Sequence, residues 1–329
     1  MNALRAYSVG YRVKELLEDR AGGRLYSVHA NGAYCSIPMR PLLLIHRSDL
    51  GGIPFGVGAA MQTGYLKEVG LDRGMQIDIS ASSISVPAVD FSVDLSGATV
   101  WHPTGKSPEN FSRSRVEDNL DHALHEVARR GSKYGLGGLA GVLNDLLGKS
   151  ERREDLGLLC QVCVEPLQQL VAGIQKQDLL LVENALDNLI GLGIGLTPSM
   201  DDVLTGLIST LHRLCDLLPG GFPWVSAIGW SIRTLSGSKT TLVSRNHLLF
   251  ASCGDRFEIL DDLIDSLLSS SAEDLNDKIG KLVSYGATSG TELAIGVLLG
   301  VKLVLADRAE SVLENPPGGS CASSTEARH

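Results

Sequence analysis

The sequence predicts an α+β protein in which an N-terminal mostly-β lobe is followed by a mainly α-helical C-terminal domain. Before residue 110, short β-prone runs alternate with turns, and these runs are 24–29, 34–38, 42–46, 76–80, 83–86 and 91–101. After residue 115, the spacing of apolar residues becomes helical. Because strands and helices are segregated, neither a Rossmann fold nor a TIM barrel is expected.

The elements follow from local patterns. Residues 86–96 alternate apolar and polar side chains, as a half-buried strand does. One helix is predicted at 11–18, and the others at 116–130, 139–147, 156–175, 177–190, 201–217, 223–235, 240–253, 256–268, 272–285 and 291–306. We expect a β lobe at 1–110, a helical domain at 111–313, and a disordered tail at 314–329 that is rich in small turn-forming residues.

The composition excludes several classes of protein. A formal net charge of -9 argues against nucleic-acid binding, which requires clustered cations. The six cysteines are too scattered for a disulfide framework. Cys160 and Cys163 fall in an apolar helical run without further metal ligands, so we interpret them as small core residues.

No membrane association is expected. The N-terminus has no apolar signal-peptide segment, and the apolar stretch 293–306 is short and contains a lysine. That stretch is predicted to be a buried helix, and the expected location is the cytoplasm.

The strongest local signal is Gly-Ile-Gly-Leu-Thr-Pro-Ser-Met-Asp-Asp at residues 193–202. Its glycines allow positive φ and a close approach to a ligand. Thr197 is a favourable N-cap, and Pro198 suits the first helical position. A helix is therefore expected to begin here, with free amides and a partial positive charge that favour a phosphate or carboxylate.

Asp201 and Asp202 follow in the first helical turn. As structural residues, they would complement the helix dipole. As functional residues, one would bind a cation or orient a substrate amide while the other packs outward, since adjacent helix positions point about 100° apart. The sequence leaves both interpretations open.

A second turn has a similar pattern, Gly-Ala-Thr-Ser-Gly-Thr-Glu at 286–292, in which Ser289 and Glu292 fit a capping box. The helices after the two turns contain Gly206 and Gly296. Internal glycine lowers helix stability, which implies close helix packing or a nearby ligand. Two such helix starts facing one cleft would form an anion site, although two unrelated caps explain the spacing equally well.

Between these turns lies Ser-Lys-Thr-Thr-Leu-Val-Ser at 238–244. It lacks the glycine pattern of a Walker phosphate loop. Lys239, Thr241 and Ser244 would either contact an anion or simply begin a helix.

Residues 193–206 resemble the family that contains AllH, a subunit of the oxamate carbamoyltransferase of anaerobic allantoin breakdown. Thr-Thr-x-x-Ser at 240–244 and Gly-x-Thr-Ser-Gly at 286–290 are similar to the family in the same order, and residues 94–103 are similar more loosely. Met200 departs from the family's usual glycine and would crowd a close ligand.

The resemblance implies carbamoyl transfer from carbamoyl phosphate to oxamate or a similar small amide acid, in purine catabolism. It also implies a complex with AllG-like and FdrA-like subunits, and no cofactor. Helix N-termini and hydroxyls would stabilise these anionic substrates, with Asp201 or Asp202 as the base. We assign Gly195, Thr197 and Ser199 to one anion and Thr288, Ser289 and Gly290 to the other. Gly193, Lys239, Thr241, Ser244 and Gly286 are further candidate substrate-binding residues.

Two alternatives remain. The chain is either a noncatalytic partner that completes a site in another subunit, or a magnesium-dependent helical hydrolase similar to ADP-ribosylglycohydrolases, with Mg²⁺ at Asp201 and Asp202. Thr288 and Ser289 stand where those hydrolases have Gly-Asp-x-Asp, which argues against the second alternative.

Overall fold

The computed structural model describes residues 2–17, 21–103, 112–143, 156–217, 224–269 and 271–307. The expected domain boundary near 110 and the expected tail 314–329 lie outside these residues. The N-terminal lobe contains the short helices α1 Tyr11–Leu17 and α2 Tyr65–Glu68, and the strands β1 Asn2–Gly10, β2 Ala21–His29, β3 Gly32–Ser36, β4 Leu43–Arg47, β5 Gly56–Ala59, β6 Gln76–Ser80, β7 Ser83–Val86, β8 Phe91–Asp94 and β9 Thr99–Trp101.

The strands form one sheet that closes on itself. The order is β5-β4-β3-β2-β6-β7-β8-β1-β9, and β1 also pairs with β5 to complete a barrel-like circuit. The two halves of β1 pair with different neighbours, residues 2–5 with β8 and residues 8–10 with β9. Closure protects the backbone groups that free strand edges would expose.

Strands β3 and β4 are buried on both faces. Their inward-facing residues pack in the barrel core, whereas Tyr34 and Leu44 belong to the core of the helical domain. Tyr34 pairs directly with Leu44, and Gly32 pairs with both His29 and His46. Since directly paired residues share a face, the barrel presents two histidines and a tyrosine to the helices.

The rest of the described chain is mainly helical, which confirms the predicted α+β class. The helices are α3 Arg113–Arg130, α4 Leu158–Lys176, α5 Leu179–Leu189, α6 Ser199–Leu217, α7 Val225–Lys239, α8 Leu242–Ser252, α9 Glu258–Ser269, α10 Ala272–Val283 and α11 Ser289–Asp307. Each corresponds to a predicted helix. Of the helix predicted at 139–147, the structure shows a 3-10 turn at Gly137–Gly141, and residues 144–147 lie outside the described chain.

Some strands were not predicted. The run 91–101 forms two strands, β8 and β9, and the sequence analysis missed β1 and β5. β5 reads Gly-Val-Gly-Ala, and glycine is depleted in strands. Position 56 nevertheless requires glycine, because a Cβ there would lie 2.7 Å from Nε2 of His46.

Helices α6 and α11 pack so closely that glycine is required at their contact. A Cβ on Gly206 would overlap the carbonyl of Leu293, and a Cβ on Gly296 would overlap the carbonyl of Val203. Thr197 contacts Ser289 at the beginning of the two helices, and Thr210 contacts Gly300 further along, so the helices are parallel and their N-termini lie at the same end. This confirms the close packing inferred from the internal glycines.

By length and composition, α11 is also apolar enough to cross a membrane, with a mean hydropathy of 1.6 over Ser289–Ala306. However, 83% of that segment is buried within the protein, as in the core helix of a folded domain. The buried helix predicted at 293–306 is confirmed.

Polar contacts join the two lobes. Asn246 Oδ1 accepts a hydrogen bond from Leu42 N at 2.9 Å, and Arg12 forms an ion pair with buried Asp255 at 3.1 Å. Together with the shared apolar core, these contacts place the outer face of β3 and β4 against the helices.

We expect Gly206→Ala to lower the free energy of unfolding by ~2–3 kcal/mol, because the added methyl group would force α6 and α11 apart. The measurement is denaturant unfolding followed by circular dichroism. Gly237→Ala in α7 is the control: no atom lies within 4 Å of a Cβ there, and alanine should stabilise the helix by ~0.5–1 kcal/mol. Equal stability of the two variants would contradict the proposed contact.

Candidate functional site

The two Gly-Thr-Ser turns meet in the structure. Oγ1 of Thr197, just before α6, lies 3.2 Å from Oγ of Ser289, the first residue of α11. Because the helices are parallel, the partial positive charges of their N-termini coincide here. The structure therefore brings together the two helix starts that the sequence left as either one site or two unrelated caps.

Three amides in the first turn of α6, those at positions 200–202, donate to backbone carbonyls. Met200 N donates to Leu192 O at 3.0 Å, while Asp201 N and Asp202 N donate to Pro198 O at 2.9 and 3.3 Å. The expectation of free amides is therefore wrong for these three groups. These three amides are therefore not available to a ligand.

Asp201 is fully buried, and both of its carboxylate oxygens accept hydrogen bonds. Oδ1 accepts from Gly191 N at 2.8 Å, and Oδ2 accepts from Ser244 Oγ at 2.6 Å and from the Thr240 hydroxyl. Burial raises the pKa of Asp201, and these hydrogen bonds oppose the rise. Asp201 thus connects the glycine loop to the start of α8.

Asp202 has different surroundings. It is 2% exposed, and its Oδ2 has no hydrogen-bond partner in the described structure. Burial raises its pKa well above the usual range, the hydroxyls of Ser289 and Thr197 act in the opposite direction, and the charge of Glu292 raises it further. Asp202 is a buried carboxylate with an unused acceptor.

Glu292, a third buried carboxylate, lies in the first turn of α11. Oε1 accepts from Leu136 N and Oε2 accepts from the Thr288 hydroxyl, each at 3.1 Å. A Cβ on Gly135, where φ is +63°, would overlap Oε1. Glu292 therefore joins the turn at Gly135 to α11, rather than acting as the capping-box partner of Ser289.

The hydroxyls of the segment 238–244 stabilise the glycine loop. Thr241 donates to Leu196 O and accepts from Ser244 N at 3.1 Å as the N-cap of α8. Lys239 forms an ion pair with Asp187 at 2.7 Å. The ammonium group of Lys239 is therefore paired with a carboxylate on α5.

Positions 193 and 195 require glycine for their conformation, since φ is +121° at Gly193 and +101° at Gly195. A Cβ on Gly193 would also overlap the amide nitrogen of Ser199. Ile194 between them is 90% exposed, so the tip of this loop faces solvent.

The glycines of the second turn have separate roles. Gly286, with φ of +68°, lines the cavity described next. A Cβ on Gly290 would overlap the carbonyl of Leu282, so this residue serves helix packing.

A cavity of about 150 Å³ lies where the barrel meets the helices. The helical domain lines it with Leu196, Thr197, Asp202, Val243, His247, Tyr285, Gly286, Ser289 and Leu293. The barrel lobe lines it with His29, Asn31, Tyr34, Leu44, His46 and Leu50. Among these described lining residues there is no lysine or arginine.

The histidines and tyrosines of this cavity were not predicted as site residues from the sequence. Burial lowers the pKa of His29, His46 and His247 to about 4 in each case, so all three imidazoles are neutral at pH 7. Tyr34 Oη lies 2.8 Å from Nε2 of His247. Burial raises the pKa of Tyr34 and of Tyr285, so both phenols are also neutral.

The position of His247 could have been inferred from the sequence. His247 follows Ser244 by three positions and so lies on the same side of α8. His29 is the last residue of β2 and His46 is the second-to-last residue of β4, and only their common pairing with Gly32 places them together.

Cys160 and Cys163 are buried free thiols on α4, and burial raises the pKa of Cys163 to about 12. Within the ranges that the structure describes, no group of three or more His, Cys, Asp or Glu residues could hold a metal ion.

Comparison with known proteins identifies one similarity. Residues 189–301 match the family model described as oxamate carbamoyltransferase subunit AllH. No curated protein and no solved structure matches the chain. The match includes both helix starts and the segment between them, which confirms the resemblance over this part of the chain.

Replacing each aspartate by asparagine should have opposite effects on stability. Because the pKa of Asp202 is raised in the native state, the native state binds more protons than the unfolded chain above about pH 4. The contribution of Asp202 to stability is therefore lost as pH rises through its native pKa. Asp202→Asn should therefore unfold at higher denaturant concentration than the wild type at pH 7.5, and the difference should shrink toward pH 4.

Asp201→Asn is the matched control, because it replaces a carboxylate oxygen that accepts hydrogen bonds. We expect it to lose about 1–2 kcal/mol at pH 7.5. Denaturant unfolding at both pH values measures both effects. A destabilised Asp202→Asn variant would show that Asp202 is structurally paired.

Proposed function

We propose that this chain is a subunit of a cytoplasmic carbamoyltransferase that acts on carbamoyl phosphate and oxamate, or on a similar small amide acid. The acceptor amide binds in the cavity between the lobes. The observation that supports this most directly is the convergence of both family motifs on Asp202, which interacts with the hydroxyls of Thr197 and Ser289 and lines that cavity.

The cavity suits a small acceptor. Its volume of about 150 Å³ is roughly ten times the ~10–15 Å³ that one water molecule requires. The hydroxyls of Thr197 and Ser289 line the same cavity and make its helical wall polar.

Carbamoyl transfer requires one proton acceptor. The amide nitrogen of the acceptor attacks the carbonyl carbon of carbamoyl phosphate, an N–C bond forms, and the C–O bond to phosphate breaks. The proton lost from nitrogen passes to Asp202 and then to the departing phosphate. A carboxylate with a raised pKa is a stronger base than an exposed one. Asp201 is less suited to this role because hydrogen bonds already occupy both of its oxygens.

The phosphate group needs cations that this cavity does not supply from its described lining. We therefore propose that AllG-like or FdrA-like subunits complete the site with basic side chains at the cavity mouth. On this proposal the chain is a catalytic subunit, active only in the assembled complex.

We expect Asp202→Asn to lower the rate of oxalurate formation ~10²–10⁴-fold, because the base is removed while the shape is kept. Nuclear magnetic resonance with carbon-13 carbamoyl phosphate and oxamate would follow the reaction in the complex purified with its partners. His125→Gln, an exposed change on α3, should leave the rate unchanged.

Each remaining outcome has a separate meaning. Full activity of Asp202→Asn in the complex would favour the noncatalytic-partner alternative. Turnover by the isolated chain would show that the partners are not needed for the site. No oxalurate from any combination of subunits would show that the proposed reaction is wrong.

A further inference from the structure

We infer that the cavity selects a primary amide or ureido group over a carboxylate or phosphate, and that Asp202 is the residue that makes this selection. The inference rests on the proposed function, in which an amide nitrogen is the nucleophile. It differs from the sequence-based expectation that negatively charged groups bind at both helix starts.

The first observation is the unused oxygen of Asp202. A buried carboxylate oxygen without a donor costs free energy, and a ligand N–H group would supply the missing donor. A ligand carboxylate or phosphate has no N–H group to donate, and it would bring a further negative charge beside the buried acidic side chains of Asp202 and Glu292.

The second observation is the chemistry of the barrel wall. Nδ1 of His46 lies 2.8 Å from the carbonyl of Arg47 and so carries the proton, which leaves Nε2 as an acceptor. That Nε2 also has no partner in the described structure. Two unpaired acceptors, Asp202 Oδ2 and His46 Nε2, therefore belong to residues that line one cavity.

The third observation concerns charge. His29 and His247 are neutral at pH 7 because burial lowers their pKa to about 4, and the described lining contains no basic side chain that would compensate an anion. An uncharged group that donates N–H bonds matches a neutral, acceptor-rich wall.

Oxamate and oxalate form a matched pair of probes, because they have nearly the same shape and differ in one amide group. Isothermal titration of the chain should show that oxamate binds at least ~10-fold more tightly than oxalate. Oxamide, which has amide groups and no charge, should also bind more tightly than oxalate.

Asp202→Asn should reduce the preference for oxamate at least ~10-fold, because the new amide donates to a carboxylate. Asp201→Asn is the control and should keep the wild-type preference, since Asp201 does not line the cavity.

Equal binding of oxalate and oxamate by the wild type would overturn the inference, as would an unchanged preference in Asp202→Asn or no binding of either probe. These outcomes are independent of transfer. If the preference is found but no complex forms oxalurate, amide selection stands and the proposed reaction fails.

Discussion

The parallel contact between α6 and α11 determines where the charges of the site lie. Gly206 and Gly296 allow the two backbones to touch, and the contact aligns both N-termini. Each N-terminus carries roughly half a positive charge, so two parallel dipoles repel unless negative groups lie beside them. Three buried carboxylates occupy the first turns of these helices, two in α6 and one in α11.

The three carboxylates share this electrostatic role but differ in their partners. Asp201 and Glu292 use both oxygens in hydrogen bonds that connect neighbouring turns to the helix starts. Asp202, which lines the cavity, keeps one buried oxygen unpaired in the described structure. A buried polar group that the fold leaves without a partner is destabilising, and such groups are concentrated at functional sites.

The helical half of the site was largely predictable because its signals are local. Helical periodicity gave the positions of α6 and α11, and the glycines at 206 and 296 indicated their close packing. Local patterns do not show which way a side chain turns. Lys239 is close in sequence to the hydroxyls of Thr241 and Ser244, but it pairs with Asp187. Only the three-dimensional structure shows that the oxygens of Asp201 are hydrogen-bonded whereas one oxygen of Asp202 is not.

The barrel's contribution could not be predicted, because it depends on strand register. The apolar residues of β3 and β4 are consistent with burial on both faces, which indicates a sheet covered on both sides. They do not indicate which helices cover it. The alignment of His29 with His46 requires both strands to pair with Gly32, and a shift of one residue would turn either histidine to the other face.

The family match and the cavity therefore describe different parts of the same site. Residues 189–301 contain the helix starts and their carboxylates, whereas neutral histidines and Tyr34 on the barrel form the opposite wall. The helix starts alone suggest an anion site, because helix N-termini favour negative charge. The lining residues that the structure describes on the barrel wall add no positive charge, and the carboxylates already offset the positive charge of the helix N-termini. The polarity of the cavity thus results from both lobes, and it favours an uncharged donor group over an anion.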